Sequence, residues 1–151
     1  MGISGVNFAI ANEGAIWLVE NEGNGRMSTT ACDVHVAICG IEKLVESFDD
    51  AAILNNLLAP SAVGVPITCY QNIITGPRKE GDLDGPKEAH IILLDNNRSN
   101  ILADEKYYRA LSCIRCGTCL NHCPVYDKIG GHAYLSTYPG PIGVVDRKSV
   151  V

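Results

Sequence analysis

Four cysteines crowd into the eleven positions from Cys113 to Cys123, spaced C-x2-C-x2-C-x3-C, and Pro124 follows at once. No other feature of this chain restricts its chemistry as tightly. Three thiols two residues apart (Cys113, Cys116, Cys119) wrap a short loop around one compact object. Gly117 lets the backbone of that loop approach closely.

This spacing is the bacterial ferredoxin-type ligand run for a [4Fe–4S] cluster, with thiolates on iron and backbone N–H groups free to hydrogen-bond the sulfides. Zinc sites place two knuckles a dozen or more residues apart, and all four thiols here are closer than that. Disulfides at such density suit a small secreted scaffold, which a chain of 151 residues without a signal peptide does not resemble. The candidate ligands are therefore Cys113, Cys116, Cys119 and Cys123. In two-cluster proteins the cysteine before the proline serves the other cluster, so Cys123 is either the fourth ligand of the first centre or a ligand of a second. Arg115 and His122, beside the thiols, are candidates for tuning potential by charge, against the commoner case of solvated side chains.

Composition is that of a globular protein, 46% apolar and 19% charged, with room for one domain and a small appendage. A net charge of −5 without a lysine or arginine run argues against a nucleic-acid partner or a polybasic membrane anchor. No apolar stretch reaches the roughly 18 residues of a membrane span. Seven cysteines without a secretion signal point to a reducing, cytoplasmic setting. Cys32, Cys39 and Cys69 stand singly among apolar residues and are expected to be buried.

Along the chain, residues 6–11 and 15–20 read as strands joined by a hairpin loop at Asn12-Glu13-Gly14. Residues 21–30 read as a connecting loop, with an anion-binding loop as the alternative. Residues 34–39 are near-continuously apolar and predict a strand covered on both sides. From Ile41 the period becomes helical, with Glu42, Lys43, Glu46 and Asp49 on the polar side and Pro60 closing the helix. Residues 65–74 return to strand and 78–86 form a loop. Residues 89–95 are the clearest buried strand, headed by a structural His90. Asp104 or a neighbour caps a helix over 105–112 that delivers Cys113 at its end. The glycine- and proline-rich stretch after Pro124 is expected to drape over something else.

Taken together, several segments resemble the lactate-utilisation protein B family. They are Gly5-Val6-Asn7-Phe8-Ala9-Ile10-Ala11, Val19-Glu20-Asn21-Glu22-Gly23-Asn24, Ser28-Thr29-Thr30 and Ile73-Ile74-Thr75-Gly76-Pro77-Arg78. Leu94-Asp95-Asn96, the run from Cys113 to Pro124, Gly130-Gly131-His132-Ala133-Tyr134 and Tyr138-Pro139-Gly140-Pro141-Ile142-Gly143 complete the set. The resemblance covers about residues 2–145. It implies an α/β fold: a partial LUD domain of the CoA-transferase and sugar-isomerase type, a mixed sheet with helices, over residues 1–103. A ferredoxin-like [4Fe–4S] segment follows over 104–145, then a tail at 146–151 outside the family pattern.

The resemblance further implies a cytoplasmic electron-transfer subunit that works beside other subunits of a bacterial system oxidising L-lactate to pyruvate. Family members carry two cysteine runs and two clusters; this chain alone supplies ligands for at most one. It is expected to be a fragment, beginning inside the LUD domain and stopping before the second run, with sheet edges left uncovered. The alternative reading is a ligand-binding α/β enzyme for a small carboxylate or a nucleotide-like molecule, with Arg26, Ser28, Thr29 and Arg78 as anion contacts and a structural or redox-sensing cluster. The sequence shows no nucleophile–base pair and no paired carboxylates at catalytic spacing.

Overall fold

A computed structural model describes residues 1–135 and 138–148. The α/β class is present, organised as two sheets and a helical layer. The strands are β1 (Gly2–Gly5), β2 (Phe8–Ile10), β3 (Ala15–Glu20), β4 (Val34–Gly40), β5 (Leu44–Val45), β6 (Tyr70–Ile74) and β7 (Glu88–Leu94). The helices are α1 (Asn24–Thr30), α2 (Phe48–Val63), α3 (Arg98–Ala103), α4 (Thr118–Asn121), α5 (Pro124–Ile129) and α6 (Pro141–Lys148). One sheet has the order β1-β4-β7 with every pair parallel, and the other has the order β5-β2-β3-β6.

The expected hairpin is β2–β3, antiparallel, with Phe8 opposite Trp17 and Ile10 opposite Ala15. Alternation along these strands sends side chains both ways. Phe8, Ile10, Ala15 and Trp17 meet Ala51 and Leu58 of α2. Ala9, Ile16 and Leu18 meet Ala37 and Cys39 of β4. The hairpin sheet is thus the middle layer, between α2 and the parallel sheet. Trp17 stacks on Phe48 at a centroid distance of 5.1 Å and meets Phe8 edge-on at 6.0 Å.

Several expectations need correction. Residues 21–30 are not a loop, because α1 forms there despite two glycines and two threonines. The Glu20 carboxylate holds its start, accepting hydrogen bonds from the N–H groups of Gly25 and Arg26, the latter at 2.6 Å. The helix expected from Ile41 starts only at Phe48, behind a capping box between Ser47 and Asp50. Pro60 lies inside that helix, which continues to Val63 and ends on Gly64 in the left-handed region at φ 74°.

β4 is central in its sheet but is buried on one face only, through His35, Ala37 and Cys39, while Ile38 on the other is 41% exposed. β7 forms where expected but is the opposite of buried. Among the described residues it pairs with β4 alone, and Ile91 and Leu93 on one side are exposed, as are Ile92 and Leu94 on the other. His90 lies on that exposed strand, 3.5 Å from the carboxylate of Glu88. An apolar run states that a strand is suited to cover on both faces; it does not supply the cover.

The helix expected over 105–112 is instead α3 followed by a 3-10 turn over Tyr108–Ser112, whose C-cap is Cys113. The stretch after Pro124 folds into α5, a 3-10 turn over His132–Tyr134, and α6. Of the tail expected at 146–151, residues 149–151 lie outside the described residues. Among the three lone cysteines only Cys39 is buried; Cys32 is half-buried and Cys69 exposed.

Candidate iron–sulfur site and the crevice beside it

The cysteine run is seated on the core rather than tethered to it. Ile114 and Cys116 pack against the cluster of Phe8, Trp17 and Leu58. Thr118, opening α4, donates its hydroxyl to the carbonyl of Ser61 in the last turn of α2. Gly117 sits at φ 79° and turns the chain into α4. Arg115 also has a positive φ, 62°, which costs a non-glycine residue about 1 kcal/mol and persists only where the surroundings hold it. Its surroundings do so. The guanidinium donates to Glu42 Oε1 at 3.0 Å and lies 4.0 Å above the ring of Tyr138.

None of the seven cysteines is paired in a disulfide. The donor set of the run is four sulfurs, which suits iron–sulfur or zinc chemistry and not a hard cation. Metal binding needs thiolates, and two of the four are already acidified. Cys116 is lowered by the hydroxyl of Thr118, whose oxygen lies 3.2 Å away, and then by the Thr118 backbone N–H. That hydroxyl has one proton and two acceptors, Ser61 and Cys116, so ionisation of the thiol draws it toward sulfur. Cys123 caps α5 and is lowered by the N–H of Tyr126, donated over 3.4 Å, and then by the Tyr134 hydroxyl at 3.6 Å.

Cys119 is exposed, and its sulfur rests on Gly140, where an added Cβ would come within 3.3 Å. A side chain at that position would press on the sulfur, which would have to give by a few tenths of an ångström. Among the described residues, no three Cys, His, Asp or Glu side chains are gathered at one point. Donor chemistry, thiol acidity and the space at Gly140 fit a thiolate-held cluster. His122 is exposed at the end of α4, whereas Arg115 is half-buried in an ion-pair network, so of the two only Arg115 is built in.

Beside the loop lies a crevice of about 650 Å³. It runs along the carboxyl ends of the three parallel strands. Gly5 ends β1 with Val6 and Asn7 after it, Gly40 ends β4 with Glu42 and Lys43 after it, and Arg98 comes just after β7. Ile114 and Arg115 of the cysteine loop and Tyr138 close another side. At its base Glu42, with a side chain only 4% exposed, is in contact with Arg98 Nε at 2.5 Å and with Arg115 at 3.0 Å. Burial pushes the Glu42 carboxyl up, but the Arg115 hydrogen bond, the carboxyl's own backbone N–H and the Arg98 charge outweigh it, so the group ends below the usual range.

The anion contacts expected from sequence do not come together. Ser28 lines this crevice, while Thr29 and Arg78 line a separate hollow beside the 78–86 loop. Arg26 is exposed, and the helix start that would have received an anion is occupied by Glu20. Four other residues do meet: Glu42 and Lys43, which the periodicity places on a helix face, Arg115, expected beside the thiols, and Arg98, which no motif marks. Their separation of up to 73 positions left no local signal. One pairing absent from the sequence reading is Ser4 Oγ with His35 Nε2 at 2.8 Å, across the β1–β4 pair.

Residues 1–94 match the LUD domain and residues 109–150 match the 4Fe-4S dicluster domain. The chain is 51% identical over 145 residues to lactate utilization protein B of Shouchella clausii, covering 96% of this chain and 30% of that one. It is 50% identical, with the same coverage, to the electron transport protein YkgF of Escherichia coli. Lactate utilization protein B of Bacillus subtilis is 49% identical over 96% of this chain and 30% of its own length. The chain thus spans about 30% of the length of the curated relatives it matches. No solved structure matches it.

Proposed function

This chain belongs to the LUD domain family, and from that premise we propose that it forms part of an iron–sulfur electron-transfer subunit serving L-lactate oxidation to pyruvate. One observation carries the reading: the C-x2-C-x2-C-x3-C-P run lies within residues 109–150, matched by the 4Fe-4S dicluster domain, and is packed on the LUD core. The names of the relatives, lactate utilization protein B and an electron transport protein, supply the process.

Cys113, Cys116 and Cys119 would hold one [4Fe–4S] centre, with Cys123 as its fourth ligand or as a ligand of a second. Bound there, such a cluster takes up and passes on one electron at a time. The chain's own contribution is to hold the loop still: Ile114 and Cys116 against the core, Thr118 on Ser61, Arg115 on Glu42. Arg115, between the first two ligands in sequence, carries a positive charge held on Glu42, and that charge beside a bound cluster would favour its reduced form. We place the division at 103/104, where α3 ends ahead of the turn into Cys113. Partner subunits of the lactate-utilisation system and a cytoplasmic site belong to the same proposal. Among the described residues no helix is long and apolar enough to cross a membrane.

Anaerobic reconstitution with iron and sulfide tests the reading. The expected product is brown, with a broad absorption toward the blue end of the visible and a paramagnetic signal on reduction. A colourless protein that takes zinc in preference would overturn it.

A further inference from the structure

The crevice at the carboxyl ends of β1, β4 and β7 has the place, the charge and the walls of a ligand site. In open α/β sheets ligands sit outside the carboxyl ends of parallel strands, and cavities of this size receive small molecules. At its base, two guanidiniums share the one carboxylate of Glu42, which leaves one positive charge uncompensated. Lys43 adds a second. Among the described residues it has no carboxylate within 4 Å, and burial followed by the charge of Arg115 pushes its ammonium down. The other carboxylate on the wall, Glu20, is turned to the N–H groups of Gly25 and Arg26 and to the amide of Asn72. Asn7 and Ser28 offer further polar contacts, while Leu18, Leu58 and Ile114 give the crevice an apolar wall.

We propose that this crevice binds an organic oxyanion, a carboxylate or a phosphate, seated on Lys43 in front of Arg98 and Arg115 and against the cysteine loop. A surplus of buried or half-buried cations beside apolar surface is costly when empty of anions and is offset by one that enters. Titration before and after loading reads failure to bind iron and failure to bind an oxyanion separately.

The test is calorimetric titration of the full chain at low ionic strength, before and after anaerobic loading, with lactate, pyruvate, inorganic phosphate and coenzyme A. Saturable binding by lactate or pyruvate alone assigns the site to carboxylates; binding by phosphate or coenzyme A alone assigns it to phosphates. Lys43→Gln should weaken binding by about tenfold or more, the size expected for losing a hydrogen bond to a charged group, and Lys43→Arg should largely retain it. Amide shifts on titrating the unsubstituted chain should centre on residues 40–43 and Arg115, which keeps the test independent of any variant's folding. Silence from all four ligands, an affinity unchanged in Lys43→Gln, or shifts centred elsewhere would each overturn the proposal.

Discussion

Arg115 Nη2 donates to Glu42 Oε1 at 3.0 Å, joining the loop between the first two cysteines of the run to the end of the central parallel strand, 73 positions earlier in the chain. Arg98 meets the other oxygen of the same carboxylate. The cysteine loop and the end of the sheet are therefore fastened at one buried acid.

Removing that acid should be expensive. Glu42→Ala leaves two guanidiniums, 10% and 14% exposed, without their counter-charge. A loss of about 3 to 5 kcal/mol is expected from urea denaturation, the range for breaking a buried pair on one side.

The same carboxylate sets an acid limit. Its pKa in the folded chain lies below the ordinary 4.5, so the unfolded chain binds its proton first as pH falls. The stabilisation is complete above about pH 4.5 and is lost as pH drops through the folded value. Acid titration of the denaturation midpoint should show this loss, and Glu42→Gln should flatten it.

Serine substitutions should grade the four thiols. Cys113→Ser, Cys116→Ser or Cys119→Ser should each remove most of the iron and visible absorption from the reconstituted protein, which otherwise holds roughly four irons per cluster. Cys123→Ser should lose less, because Cys123 stands apart at the cap of α5 with Tyr126 and Tyr134 as its partners. Iron and sulfide analysis measures both.

Cys39 should resist alkylation in the native chain. Burial, with the charge of Glu42 behind it, pushes its thiol up to about 11. At pH 8 only roughly a thousandth of it is thiolate. Brief iodoacetamide treatment followed by mass spectrometry should find Cys69 and Cys119 modified, both exposed, and Cys39 intact.

Gly2→Ala should loosen α1 from β1. An added Cβ would fall 1.9 Å from the carbonyl oxygen of Ser28 and 2.9 Å from the sulfur of Cys32, and a backbone oxygen cannot swing aside. A cost of about 1 to 3 kcal/mol is expected, read as a lowered thermal midpoint.

Wherever neighbours in sequence are also partners in space, the residues alone determined the outcome. The spacing of the cysteine run names its chemistry, although no three of its thiols are gathered at one point among the described residues. The β2–β3 hairpin forms where turn residues separate two apolar runs, and β4 and β7 fall within a residue or two of their expected bounds. One local contact also decided α1: Glu20, five and six positions earlier, accepts from the N–H groups of Gly25 and Arg26 and outweighs poor helix propensity. Tertiary structure decided the rest. β7 is exposed because burial belongs to what packs on a strand and not to its composition. Glu42 and Arg115 look like surface charges in sequence and become a buried pair only when the fold brings the end of β4 against the cysteine loop. An ion pair has no preferred spacing along a chain, so its partners are fixed only by the tertiary packing that desolvates them together.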